Sequence, residues 1–478
     1  MSLLQRLEEL LSCTQQAAST ARGAQRLQQH LLATLLCPER CTLTNLLCTG
    51  GLQQQDWSAH YRCYSHQRVD IQVLFDEVCH LVQHALRPQA PLVVAMDDTL
   101  VRKCGTHIHG VRWRRDPLGP PFQTNLVRGQ RYLQFSAAWP TTQQGQARML
   151  PIGFYHVPGA GKPARDADAA ALAAHKELRK QRGLNTQTLA QMQRLRTAVP
   201  ATRGLVFTGD GSYTNKDVLQ GLPQGSCYIG RLRKDAVLHF LPPAKLEGAM
   251  GRPLRYGAQA PTPEALRQDA QAPWQQVEAF AAGKVHQMRV KTLEPLLWPK
   301  AGAGLQMRLV VIAPLTYRLR KGSKVLYRQP AYLLCTDVHM PLAEVVQHYL
   351  WRWGIEVNFR EQKSLLGTGE AQVRTEASNQ QLPAMTVAAY ALLWTAALST
   401  AQDQAPQDLL KPPKWRTHVG TSHAASPTTG ALLRQLRYEV WAGALRPATF
   451  RHFTHTSHSG PNTPKPLSSL PSTLFCAA

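Results

Sequence analysis

The sequence predicts an α/β fold, with a β-rich stretch set into the core and helical regions at both ends. Three observations predict it. Short, continuous apolar runs end in acidic residues, as in "PLVVAMDDT" and "GLVFTGDGSY", the pattern of central strands buried on both faces. Between these runs lie longer segments with apolar residues three and four apart, the helical period. From about 215 to 330 the texture changes to brief strand patterns broken by Gly- and Pro-rich turns.

Residues 1–90 read as helical. The start, "MSLLQRLEELLSCTQQAAST", is amphipathic, with no basic run leading into a secretory core. "TLTNLLCTGG" and "QRVDIQVLFDEVCHLVQHAL" carry helical spacing on either side of the polar "GLQQQDWSAHYRCYSH". With Arg62, Arg68 and several aromatics, the region is either an N-terminal DNA-binding arm or a plain helical bundle. The core then opens over 91–214, with strands at "PLVVAM", "RYLQFSAAW" and "MLPIGFYHV". A charged helical region, "AAHKELRKQRGLNTQTLAQMQRLRT", leads to the strand before Asp210.

Over 215–330, "SCYIGRL", "AVLHFL", "GKVHQMRVKTL", "LQMRLVVIAPL" and "SKVLYR" read as short strands. Among them, "EGAMGRPLRYGAQAPTPEA" reads as a loop. Its Gly251-Arg252-Pro253 triplet weakly suggests a minor-groove hook. The core resumes over 331–375 with the strand "AYLLCTDV" and a helix. Residues 376–458 read as helical, and 459–478 as a disordered tail. No internal repeat is found.

Of the 478 residues, 54 are Lys or Arg and 30 are Asp or Glu, a formal charge of +24. Such an excess favours a polyanionic partner, most simply nucleic acid. An acidic membrane surface also suits the charge, but no apolar run reads as long enough to span a bilayer. The ten cysteines are scattered without a Cys-x-x-Cys pair. Cys37, Cys41 and Cys48 lack a following His pair, so neither structural zinc nor a disulfide framework is predicted.

The helix "HYLWRWGIEVNFREQKSLLG", His348 to Gly367, is largely apolar yet charged along one line. At 3.6 residues per turn, Tyr349, Arg352, Glu356, Arg360 and Lys363 fall within roughly 80° of one another. Trp351, Trp353, Ile355, Val357 and Phe359 take most of the remaining circumference. A surface helix has the reverse proportions. The charged line either faces a cleft or pairs internally. Trp351 and Trp353 read mainly as core, with stacking on an unpaired base as the alternative.

Asp97, Asp210 and Glu356 therefore follow, in order, one central strand, a second, and a third with its helix. In open α/β sheets such strand ends converge on the functional site. Three carboxylates gathered without a cation raise one another's pKa, and a pair of divalent ions relieves that conflict. Mg²⁺ suits oxygen ligands, and two such ions serve both the attacking and the leaving oxygen of a phosphodiester.

These blocks resemble bacterial insertion-sequence transposases of the DDE superfamily, the group with a YREK helix and an RNase H-like catalytic core. The spacing Tyr-x2-Arg-x3-Glu-x6-Lys is matched at Tyr349, Arg352, Glu356 and Lys363. "VVAMDDTLVRKCG" and "FTGDGSY" resemble the two aspartate blocks. "DWSAHYRCYS", "THIHGVRWRRDP" and "GRPLRYG" resemble stretches of one subgroup of DDE endonucleases. The likeness runs from about residue 40 to 450.

The resemblance implies Asp97, Asp210 and Glu356 as catalytic metal ligands for two Mg²⁺ ions, with Mn²⁺ able to substitute. Asp97 is chosen because Thr99 then falls two residues on; Asp98 is the alternative. Tyr349, Arg352, Arg360 and Lys363 would grip DNA, and Lys103, His107, His109 and the 112–116 run "RWRRD" either line the DNA path or form a solvated basic loop. The long interval from Asp210 to Glu356 matches the β-rich insertion of related transposases.

The implied activity is hydrolysis at inverted-repeat ends of double-stranded DNA and joining of the freed 3′ end to target DNA. A hairpin at the element's end accompanies this in related enzymes. A homodimer pairing two ends through the region after 375, and cytoplasmic work on the bacterial nucleoid, go with that activity. The alternatives are a nuclease that does not join strands and a non-catalytic DNA-binding descendant.

Overall fold

The computed structural model describes residues 2–54, 56–116, 119, 125–141, 145–244, 252–317, 322–403 and 427–441. The expected tail over 459–478, and Gly251 of the expected groove hook, lie outside the described residues. Helices α1 (Leu3–Leu11), α2 (Thr14–Ala17), α3 (Ala21–Leu36), α4 (Leu43–Thr49), α5 (Ser58–Ser65) and α6 (Gln72–Ala85) come first. Their starts follow from side-chain caps. Ser2 and Gln5 form a reciprocal capping box, and Thr20 and Thr42 accept from the third backbone N–H beyond them.

Strands β1 (Leu92–Arg102), β2 (Arg112–Arg115), β3 (Leu126–Pro140) and β4 (Ala147–His156) lead through α7 (Ala169–Gln181) and α8 (Leu184–Ala198) to β5 (Leu205–Gly209). After α9 (Lys216–Gln220) come β6 (Ser226–Arg231), β7 (His239–Phe240), α10 (Pro263–Gln268), β8 (Gln275–Ala281), β9 (Lys284–Trp298) and β10 (Gly302–Ile312). The short pair β11 (Thr316–Tyr317) and β12 (Leu326–Tyr327) precedes β13 (Ala331–Cys335). The chain continues through α11 (Leu342–Trp351), α12 (Trp353–Leu365), α13 (Glu376–Asp403) and α14 (Thr429–Trp441).

At the centre of the sheet β4, β3, β1, β5 and β6 lie side by side. The β4–β3 and β3–β1 pairs are antiparallel, while β1–β5 and β5–β6 are parallel. A large mixed sheet with helices against it fits an RNase H-like fold in general. Most strands of the 215–330 stretch continue the same sheet, joined to it through β13: β13 pairs with β6, β10 with β13, and β9 with β10, all antiparallel. Strands β11 and β12 pair with each other in a separate two-stranded sheet. The boundary drawn at 215 thus separates β5 from its own parallel neighbour β6.

Two further differences from the sequence reading have local causes. The single helix expected from His348 to Gly367 is two, α11 and α12, meeting at Arg352. Arg352 keeps helical dihedrals, but bonds at the junction tighten to three-residue steps: Arg352 N–H to Tyr349 O at 3.2 Å and Ile355 N–H to Arg352 O at 3.0 Å. One apolar helix is also long enough to cross a membrane, contrary to the expectation: the Glu376–Ala401 part of α13. It is the core helix of the molecule instead. Met385, Val387, Tyr390, Leu392 and Leu393 are fully buried, and α13 packs on β4, α1, α3 and α6.

Candidate active site

Alternation along β1 sorts its two adjacent acids. Val93 and Ala95 belong to the core layer that contains Val345, Val346 and Ile355 of α11 and α12. Asp97 and Thr99 continue that face. Asp98 continues the face of Val94 and Met96. The polar contacts agree. Arg352 Nη1 donates to Asp97 Oδ2 at 3.2 Å, and Lys363 Nζ donates to Thr99 Oγ1 at 2.7 Å and Leu100 O at 2.8 Å. Asp98 instead pairs with Arg131 at 3.1 Å and accepts from the Tyr213 hydroxyl at 3.1 Å.

Asp210 follows β5, whose parallel pairing with β1 stops at Ala95. Asp97 lies two residues farther on, inside β1 rather than at its end as the sequence suggested, because β1 stays paired with β3 as far as Arg102. Asp210 Oδ1 accepts from the Ser212 backbone N–H at 2.8 Å and hydroxyl at 2.6 Å, the Asx turn of the "GDGS" sequence. Burial pushes Asp97 up to about 7; the Arg352 charge opposes this, while Asp210 and Asp98 add to it. Burial also raises Asp98, against the pull of Arg131 and the Tyr213 hydroxyl.

Glu356 stands on α12, facing β1. Arg352 Nη2 donates to Glu356 Oε1 at 3.1 Å while Nη1 holds Asp97, so one guanidinium bridges strand acid and helix acid. The Arg352 side chain is only 12% exposed, and it lies against the Tyr349 ring, 5.7 Å from its centre. Burial raises the Tyr349 hydroxyl, with Arg352 and Arg231 pulling it down. Arg231 at the end of β6 thus belongs to this neighbourhood, although nothing local in the sequence singled it out.

Arg360 is exposed on α12 and, among the described residues, makes no side-chain ion pair. Trp351 is half-buried, its indole N–H donating to Gly145 O at 2.7 Å. Trp353 departs from the expected core role: it is 62% exposed, immediately beside Arg352.

A cavity of about 1150 Å³ opens at this end of the sheet, lined by both β1 acids and Asp210. Its cations include Arg40, Lys103, Arg115, Arg131, Lys363 and Arg374. Of the basic-loop residues named from sequence, Lys103, His107, Arg115 and Asp116 line it. His109 does not; it lies 3.4 Å from Glu376. Arg40 and Arg374 come from segments that carried no recognisable signal, and only the fold brings them here.

Among the described residues no three Asp, Glu, His or Cys side chains lie close enough to hold a metal ion as they stand. The donors themselves are oxygen-only carboxylates, and Asp97 is raised by burial with Asp210 adding to it. That chemistry fits a hard divalent cation. Between Asp97 and Glu356 the compensating charge is the Arg352 guanidinium.

The mixed sheet, with its parallel β1–β5 pair and helices against it, fits an RNase H-like, DDE-type fold in general. The family model described as DDE superfamily endonuclease matches residues 9–302, and the chain belongs to that family. The match takes in Asp97 and Asp210 and ends before Glu356. Among curated proteins, none matches the chain. Membership makes the protein a DDE-type endonuclease, in a superfamily whose enzymes generally use divalent metal ions.

Proposed function

We propose that the protein is a DNA transposase that cuts at inverted-repeat ends and joins the freed 3′ ends to target DNA. The observation that carries this reading is the Arg352 bridge. It ties Glu356 of α12 to Asp97 of β1, beside Asp210 and at the edge of a cavity ringed with cations. Asp97, Asp210 and Glu356 would hold the metal ions, Mg²⁺ or Mn²⁺. When bound, such ions activate the attacking oxygen and stabilise the leaving one.

The chain's own groups supply the rest. Lys363, set beside Thr99, and Arg352 present charge where a phosphate must lie against β1. Tyr349 backs the Arg352 guanidinium, and Arg360 and Trp353 stand exposed along the outer side of α12. Partial burial strengthens the interactions of Arg352 and Lys363 relative to water. In-line hydrolysis and strand joining are both phosphoryl displacements, so one site serves both steps.

Double-stranded DNA is the proposed partner, in keeping with the +24 charge. A homodimer on paired ends and action in the cytoplasm on nucleoid DNA belong to the same proposal. Such a dimer would not pair through α13, which is buried in its own chain.

The test is a supercoiled plasmid carrying the flanking repeats, incubated with Mg²⁺. Wild-type protein is expected to nick at the repeat ends and to join 3′ ends to a second DNA. Glu356→Gln is expected to bind the same DNA yet lose at least about a thousandfold in cleavage. Nicking without joining would leave a nuclease, and undiminished nicking by Glu356→Gln would remove that residue from the site.

A further inference from the structure

The edge of the sheet next to the cavity carries a feature that the cutting and joining chemistry does not use. Among the described residues strand β2 pairs on one side, with β3, and it reads Arg-Trp-Arg-Arg. Its side chains alternate. Arg112 Nε donates to Pro158 O at 3.3 Å, and Arg114 Nη2 donates to Val157 O at 3.2 Å and Pro158 O at 3.0 Å. Those anchors leave Trp113 and Arg115 on the opposite side.

Trp113 is 66% exposed, although tryptophan carries one of the largest apolar surfaces available for burial. Arg128, its cross-strand partner, places its guanidinium 5.9 Å from the indole ring, within cation–π range. Arg115 lines the same cavity as Asp97 and Asp210. The acid that follows the strand, Asp116, is buried and paired with Arg102 at 2.9 Å. An exposed indole is thus held on an anchored strand, with Arg128 against it and Arg115, on the same face, reaching the cavity that Asp97 and Asp210 also line.

We infer that Trp113 is a stacking platform for an unpaired nucleotide of the DNA lying in this cavity, with Arg115 and Arg128 holding its flanking phosphates. An aromatic face takes any base, and the interleaved cations take the backbone. The rim disfavours a basic protein surface as occupant, since like charges would meet there. The inference rests on the DNA reading above and adds to it a preference for DNA with unpaired bases near the cut.

The experiment uses the full chain and two probes: a blunt duplex of about 20 base pairs, and the same duplex with about four unpaired thymidines at one end. Fluorescence anisotropy is expected to show the extension tightening wild-type binding about tenfold. A 2-aminopurine placed in the extension is expected to be quenched on binding. Trp113→Ala should narrow the gain to within about twofold and abolish the quench, whereas Trp113→Phe should keep most of both. Circular dichroism melting checks that each variant folds.

An unchanged gain in Trp113→Ala overturns the inference. So does a gain that persists while sedimentation shows the variant losing self-association, which would make the indole a protein contact. Wild-type binding equally tight to both probes overturns the stacking platform alone. Binding to neither probe overturns the DNA reading as well.

Discussion

Asp97 and Asp98 are chemically identical neighbours, and what separates them is one step of the β-strand alternation. Asp97 shares its face with Glu356 and is raised to about 7 by burial and by Asp210. Asp98 is engaged by Arg131 and the Tyr213 hydroxyl. Asp97→Asn is therefore expected to abolish cleavage with little change in DNA affinity. Asp98→Asn should keep measurable cleavage and instead lower stability by about 1–3 kcal/mol, through the half-buried Arg131 left without its charge partner. Plasmid nicking and urea denaturation on both variants decide it; the reverse pattern would move the catalytic assignment to Asp98. Arg352 yields a second expectation. It supplies the positive charge between Asp97 and Glu356, so Arg352→Ala should melt at a lower temperature than wild type without metal. Adding Mg²⁺ should then raise its melting temperature more than that of the wild type, because a cation relieves the repulsion the guanidinium had screened. Equal Mg²⁺ shifts in the two proteins would refute that role.

Glu356 reaches β1 because of how α12 sits as an element. Gly354 is the point of closest approach: a Cβ there would lie 2.5 Å from Met149 Cγ and 3.1 Å from its Cβ, on β4. Farther along α12, Glu361 is tied to Arg148 of β4, the Tyr390 hydroxyl of α13 and Thr429 of α14. Arg148 also stacks over the Trp394 ring at 3.8 Å. Gly354→Ala should push the first turn of α12 off the sheet, costing about 1–3 kcal/mol. Cleavage should fall more than DNA binding, because Glu356 moves with that turn. A variant with unaltered melting and cleavage would show that the Met149 side chain yields instead. The break between α11 and α12 shows the limit of periodicity at this scale. A single ideal helix accounted for one line of charge from Tyr349 to Lys363, but the bonds around Arg352 were not readable from the spacing.

Over the whole molecule, stability is coupled to pH through buried histidines. Burial holds His30 and His156 down to about 3 and His348 to about 4, from an ordinary 6.5. Each stays neutral in the fold while the unfolded chain takes up a proton below pH 6.5. The unfolded state thus binds more protons in the window from about 4 to 6.5, and stability rises with pH there and is level above. Asp97, raised from 3.8 to about 7, works in the opposite sense throughout that window and just above it, and Asp98, also raised, adds to that opposition. The three histidines, each contributing up to about 1.4 kcal/mol per pH unit, outweigh them. The urea midpoint is expected to fall between about pH 7 and pH 5, and a midpoint level across that range would contradict the burial of these rings.

By itself the sequence determined the strand–acid blocks at Asp97 and Asp210, the charged residues around Glu356 and the polyanion-seeking charge. Each is local or additive, set by side-chain type, period and count within a few residues. Only the tertiary structure decided that Asp97 rather than Asp98 faces α12 and that Arg352 spans two acids. It alone showed that strands β9, β10 and β13 extend the core sheet, that α13 is interior, and that Trp113 and Trp353 stand in water. Those outcomes depend on which distant segment covers each face. That is a matter of long-range packing, to which the period of any single element is blind.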